Sequence, residues 1–248
     1  MAYEKDGIQY PSVTTILGLL DKPALISWSA NCAVEYISEH MDAMQDITDV
    51  HRGEEVLENA KKAWREKRDD SASSGTMVHK AIEAYIGGLD FESLLQNDEA
   101  KRGFEAFLSW EKKNHVEWLE SEVEVFSLKH GYAGRFDVIA KVNGFRTLID
   151  FKTSKGIWDE MSYQLCAYRQ AYNENKNNEP LENLAILHLS KETGEPTYKA
   201  IEKNIERYTK LFNSLTEAYY LIKNRRLKNN PFVKAAKTGE PVELKEIF

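Results

Sequence analysis

The clearest hydrophobic pattern along the chain is a pair of apolar, β-branched runs joined by Asn143-Gly144, in the stretch YAGRFDVIAKVNGFRTLIDFKTSK. Asn-Gly between two such runs is the strongest short-range hairpin signal and predicts a two-residue type I′ loop. That loop sets Val142 against Phe145, and pairing outward places Asp137 opposite Asp150. Directly opposed residues have Cβ atoms about 4.5–5.5 Å apart and share a sheet face. Lys152 lies two residues beyond Asp150, so the period of two puts it on that face as well.

The remaining pattern supplies elements on both sides of this hairpin. Tyr3–Tyr10 predicts a small hairpin around Asp6-Gly7, and Ser12 can cap a short helix through Leu20. Pro23 opens a second helix, and residues 42–70 keep helical spacing around Val56, Leu57, Ala60 and Trp64. Ser71–Ser74 reads as a loop leading into a helix from Gly75 or Thr76, with another helix over residues 98–116. Strands are expected at Glu120–Leu128, Ala133–Val142 and Phe145–Thr153, then a helix from Asp159 to Asn173. A strand pair around Gly194 and a helix from Ile205 to Leu227 close the order. Helices, a three-strand meander, a helix, two strands and a helix predict an α/β (α+β) fold, a central mixed β-sheet flanked by helices. The expected organisation is an N-terminal helical region over residues 1–70, a candidate DNA-threading arch, followed by a core over 71–248.

Composition narrows the class. The 248 residues are 42% hydrophobic and 29% charged, ordinary for a globular protein. No run approaches the roughly 18 apolar residues of a membrane helix, and the polar start MAYEKDGIQYPS lacks a signal core. No membrane association is therefore expected, and the expected location is the cytoplasm of a bacterium or a phage-infected host cell. Cys32 and Cys166 are the only cysteines, too few for a disulfide framework or a four-cysteine cluster. A net charge of −7 argues against a passive nucleic-acid coat, though not against an enzyme that engages phosphates locally. Basic residues cluster at 61–68 and 223–237, where a solvated face and a DNA contact both remain open.

The opposed carboxylates carry the chemistry. Two such groups in an apolar sheet repel unless neutralised, and hard divalent cations favour carboxylate oxygens. A lysine beside a metal-bound water is an apt activator of that water. His79 and Glu83 stand four apart on one helix face, as do Gln164 and Tyr168 on the helix after Lys152. Either pair alone is ordinary surface or packing.

Taken together, Gly75-Thr-x-x-His79, Gly134-Arg-Phe-Asp137, Ile149-Asp150-Phe-Lys152-Thr-Ser and Gln164-Leu-x-x-Tyr168 resemble the PD-(D/E)xK nuclease superfamily, in its RecB-like branch. The order of the motifs carries this, since an isolated D-x-K is weak. Pro11-Ser-Val-Thr-Thr-Ile-Leu and Ile26-Ser-Trp28 also look like the start of the mitochondrial genome maintenance exonucleases and their phage relatives. The resemblance implies that Asp137 and Asp150 bind Mg2+ or Mn2+, one ion or two, completed by the carbonyl of Phe151. It implies that His79 ligates or orients a second ion and that Lys152 orients and helps deprotonate the attacking water. Gln164 and Tyr168 would position the strand or buttress the site, and Glu83, on the helix face of His79, would stand behind the direct ligands. The four-cysteine iron–sulfur cluster of some relatives is not expected here.

Other residues carry two readings. Arg135 shares the face of Asp137 and could hold a phosphate, although an ion pair with a nearby carboxylate is the commoner arrangement. Ser73, Ser74, Gly75 and Thr76 could bind a phosphate at a helix N-terminus, where plain capping is the commoner role. Thr153, Ser154 and Lys155 could touch the DNA backbone, and Trp158 could stack on a base or fill a rim. The leading function is a metal-dependent DNA exonuclease acting on single-stranded or end-bearing DNA in replication, recombination or repair. A structure-selective endonuclease and a catalytically idle DNA-binding accessory module are the alternatives. A single-strand annealing or binding protein is an expected partner.

Overall fold

The computed structural model describes residues 2–42, 50–223 and 230–238. Strands β1 (Ala2–Lys5) and β2 (Ile8–Pro11) form an antiparallel hairpin whose turn residues, Asp6 and Gly7, both have positive φ. Helix α1 (Val13–Leu17) follows at once, capped by the Ser12 hydroxyl, which accepts from the Thr15 N–H.

The core is a five-stranded mixed sheet of β3 (Val116–Ser127), β4 (Tyr132–Val142), β5 (Phe145–Lys152), β6 (Asn183–Leu189) and β7 (Pro196–Ala200), in that spatial order. Within this sheet β5 and β6 pair in parallel, because the helix between them, α6 (Asp159–Glu174), supplies the crossover that parallel strands need. Helices α4 (Ala63–Ile86) and α5 (Asp98–Lys113) contribute Val78, Ile82, Phe104, Phe107 and Trp110 to one core with Val138, Ile149 and Phe151 of the sheet. Helices α6 and α7 (Ile205–Lys223) pack together on the sheet with α1, where Tyr132 donates to the Ala167 carbonyl and meets Phe212 edge-on.

The chain falls into two compact units. One comprises residues up to Leu19 and from Met77 onward, so the β1–β2 hairpin belongs with the sheet. The other, Leu20–Thr76, is helical: α2 (Pro23–Glu39), α3 (Val50–Ala60) and the first part of α4. Its interior holds Cys32, Val56, Ala60 and Ala63, and Lys67 pairs with Glu35 at 2.5 Å. Residues 43–49 of the expected helical stretch lie outside the described residues, as do 224–227 of the expected last helix and the start of its basic segment.

The expected loop at Ser71–Ser74 is corrected. These residues, with Gly75 and Thr76, lie inside the unbroken helix α4. The Ser74 hydroxyl donates to the Asp70 carbonyl and the Thr76 hydroxyl to the Ala72 carbonyl, each four residues back. Hydroxyls satisfied in this way do not stop a helix, and main-chain N–H groups in a helix interior are not free to hold a phosphate or to be capped. A further helix, α8 (Pro231–Thr238), covers the second half of the basic segment 223–237. Its Phe232 stacks on Tyr220 with ring centroids 5.5 Å apart and lies over Gly131, which has positive φ and where a Cβ would meet the Phe232 ring at 2.5 Å.

Candidate active site

The site is built where the β4–β5 ladder ends. Asn143 and Gly144 both have positive φ, as a type I′ turn requires, and pairing runs from Val142–Phe145 out to Val138–Ile149. Asp137 and Asp150 are the next facing positions, but no ladder pair joins them. Instead the Asp137 carboxylate takes over as acceptor, and the Phe151 N–H donates to its Oδ2 at 2.6 Å.

The alternation of β4 also breaks at this point. Phe136 packs against Tyr168 and Tyr172 of α6, whereas Val138, two residues on, lies in the core formed with α4 and α5. A regular strand would place both on one face. The switch turns Asp137 toward α4, where its Oδ1 lies 3.3 Å from His79 Nδ1. Asp150 keeps the other neighbour expected of it, Lys152, whose ammonium contacts its Oδ2.

The electrostatics follow from burial and these pairs. Burial pushes the Asp150 carboxyl up, against the pull of Lys152 and with the push of Asp137. Burial also opposes charge on Asp137, but His79 and Lys152 outweigh it and hold the carboxyl below its ordinary value. His79 and Lys152 are both raised, because the carboxylates beside them outweigh their own desolvation. The two carboxyls, the imidazole and the ammonium thus act on one another across the site.

A cleft beside this set is lined by His79, Ile82, Glu83, Ile86, Ser121, Glu122, Asp137 and Phe151. Glu83 therefore shares the cleft with His79. On the α6 side, Gln164 donates to the Tyr168 hydroxyl at 2.8 Å, and Tyr168 reaches the sheet over Gly134. Burial raises the Tyr168 phenol far above its ordinary range, so it stays neutral.

The remaining candidates disperse. Arg135 pairs with Glu122 at 3.0 Å. Thr153 is half-buried, and the Ser154 hydroxyl donates to the Gly156 carbonyl. The Ser154 carbonyl is met by His188 Nε2 at 2.5 Å. Lys155 is exposed, and Trp158 is 53% exposed with its ring over Gly156. Ser74 and Thr76 belong to the helix interior described above. In the basic segment 61–68, Lys61, Lys67 and Arg68 are engaged by Glu58, Glu35 and Asp69. Glu122 was not singled out from the sequence. Glu120, Glu122 and Glu124 alternate as the outer positions of an edge strand do, and no local signal separates the middle one.

The donor set fits a hard divalent cation. Two carboxylates meet at the end of a ladder, Asp150 buried and Asp137 half-buried, each beside a cationic side chain. Among the described residues, no three His, Cys, Asp or Glu side chains are gathered tightly enough to cage an ion. Main-chain carbonyls, water and substrate would supply the rest of the shell, an arrangement Mg2+ favours.

An acidic pair, a lysine and a histidine come together at the broken ladder of the mixed sheet. A family model described as the PD-(D/E)XK nuclease superfamily matches residues 42–237, and the chain belongs to that superfamily. No curated protein matches the chain. Among solved structures, one titled "Crystal structure of SSO0001" aligns at 17% identity over 57% of this chain and 74% of its own, with a TM-score of 0.27. No helix among the described residues is long and apolar enough to cross a membrane.

Proposed function

We propose that this protein is a metal-dependent deoxyribonuclease of the exonuclease type, acting on single-stranded or end-bearing DNA. The observation that carries the nuclease chemistry is the convergence of His79, Asp137, Asp150 and Lys152 at the end of the β4–β5 ladder. The exonuclease reading is supported by the resemblance of the opening motif and of Ile26-Ser-Trp28 to the mitochondrial genome maintenance and phage exonucleases.

Asp137 and Asp150 would hold Mg2+ or Mn2+, with the Phe151 carbonyl as a main-chain donor. Bound there, such an ion lowers the pKa of the attacking water and offsets charge on the phosphate oxygens. The chain's own residues set the geometry. The Phe151 N–H fixes one oxygen of Asp137 and leaves the other facing His79. Lys152, one fifth exposed beside the buried Asp150, orients the water for in-line attack. Tyr168, buttressed by Gln164, holds the surface on which the strand is positioned.

The test uses 5′-labelled and 3′-labelled linear single-stranded oligonucleotides beside a circular single strand, with Mg2+ or with EDTA. Metal-dependent loss of the linear strands with the circle intact supports the proposal, and the label released first gives the polarity. Cutting of the circle replaces it with an endonuclease. No cleavage with either Mg2+ or Mn2+ points to an accessory binding module.

A further inference from the structure

Across β3–β4, Ser121 pairs with Val138 and Val123 with Phe136, which leaves Glu122 facing Asp137 in a gap in the ladder. Glu122 has φ of +52°, the left-handed region that costs a residue with a Cβ. The consequence shows in the cleft. Ser121 and Glu122, consecutive in the chain, both line it, which an ordinary strand forbids. The backbone has turned this side chain onto the face of Asp137.

Two costs therefore meet at one position. The backbone is strained, and like charges directly opposed in a sheet repel. Arg135, 3.0 Å from the Glu122 carboxylate, offsets part of the second cost, but it is half-exposed and touches only one of the two acids. A glycine would remove the first cost and a glutamine the second.

We propose that Glu122 is a further positioning residue of the cation site, acting on the Asp137 side through water. This rests on the metal-dependent reading above. No three ligating side chains touch here, and Glu122 is tied to Arg135, so it works from beyond the direct ligands. Its carboxylate orders water around the ion, and partners of this kind are worth roughly 10–100-fold in metal affinity.

Mn2+ binding to the full chain, read by isothermal titration calorimetry, tests this on wild type, E122Q, E122G, R135A and D137N. The expected result is at least about a tenfold loss of affinity in both E122Q and E122G. E122G should also melt at a higher temperature than E122Q, because it releases the backbone strain. R135A should bind as well as wild type, since the carboxylate remains. Wild-type affinity in E122Q while D137N loses binding overturns the role of Glu122 and leaves the metal site standing. An R135A loss equal to that of E122Q also overturns it, making the pair a structural brace. No Mn2+ binding by wild type overturns both this role and the metal-dependent reading.

Discussion

Gly134 lies so close beneath Tyr168 that a Cβ built on it would stand 2.5 Å from the tyrosine Cε1, with Val13 Cγ2 at 3.3 Å. The glycine three residues before Asp137 is thus a matter of space. Its bare Cα lets the α6 tyrosine and α1 close over β4 at the position leading into the acidic site.

Gly134→Ala is expected to destabilise the fold by about 1–3 kcal/mol, the usual cost of overpacking a filled core. Cleavage should fall further than stability alone explains, because Tyr168 must move off Gln164. Urea midpoints and single-strand cleavage rates check this. A neutral substitution would show that the ring yields freely.

Lys152→Met should lose at least about 100-fold in cleavage rate while retaining DNA binding. The substitution keeps an unbranched chain beside Asp150 but removes the ammonium. Rates under single-turnover conditions and a gel-shift titration separate the two effects. An unchanged rate would sink the assignment of Lys152.

Tyr132→Phe removes a fully buried hydroxyl that donates to the Ala167 carbonyl at 2.8 Å. The carbonyl is left without this donor, so the expected loss is about 1–2 kcal/mol in urea unfolding. Cleavage should be unaffected at temperatures well below the melting point.

Burial pushes the Cys166 thiol up to about 11, so almost none of it is thiolate at pH 8. Iodoacetamide should leave Cys166 unmodified in the folded protein and label it fully in urea, as peptide mass spectrometry would show. Prompt labelling without denaturant would mean that the α6–α7 contact opens.

His130 is held below the ordinary histidine value, chiefly by burial and also by Lys129. A depressed folded-state pKa means that the unfolded chain binds the proton more readily. The stability is therefore present above about pH 6.5 and is lost as the pH falls through the folded value. Wild type should lose more stability than His130→Gln between pH 7.5 and pH 5, read from urea midpoints at each pH. Equal losses would remove His130 from the acid response.

What the sequence determined alone was the chemistry of near neighbours. Asn143-Gly144 specifies its turn because both residues tolerate positive φ, and that turn fixes the β4–β5 register up to the acidic pair. Ser12 caps α1 through an N–H three residues away. The order of strands and helices gave the mixed sheet, since each element's period is written in consecutive residues.

Tertiary structure decided which of several permitted local states won. Ser73-Ser74-Gly75-Thr76 is good loop and cap material, yet it lies within α4, with the Ser74 and Thr76 hydroxyls satisfied four residues back. The short basic stretch at 231–238 became a helix that sets Phe232 over Gly131. Above all, the break in alternation at Asp137 and the left-handed Glu122 opposite it arise between strands. Whether a ladder continues or gives way depends on which carboxylates, cations and rings arrive from distant helices, and no window of neighbouring residues records that.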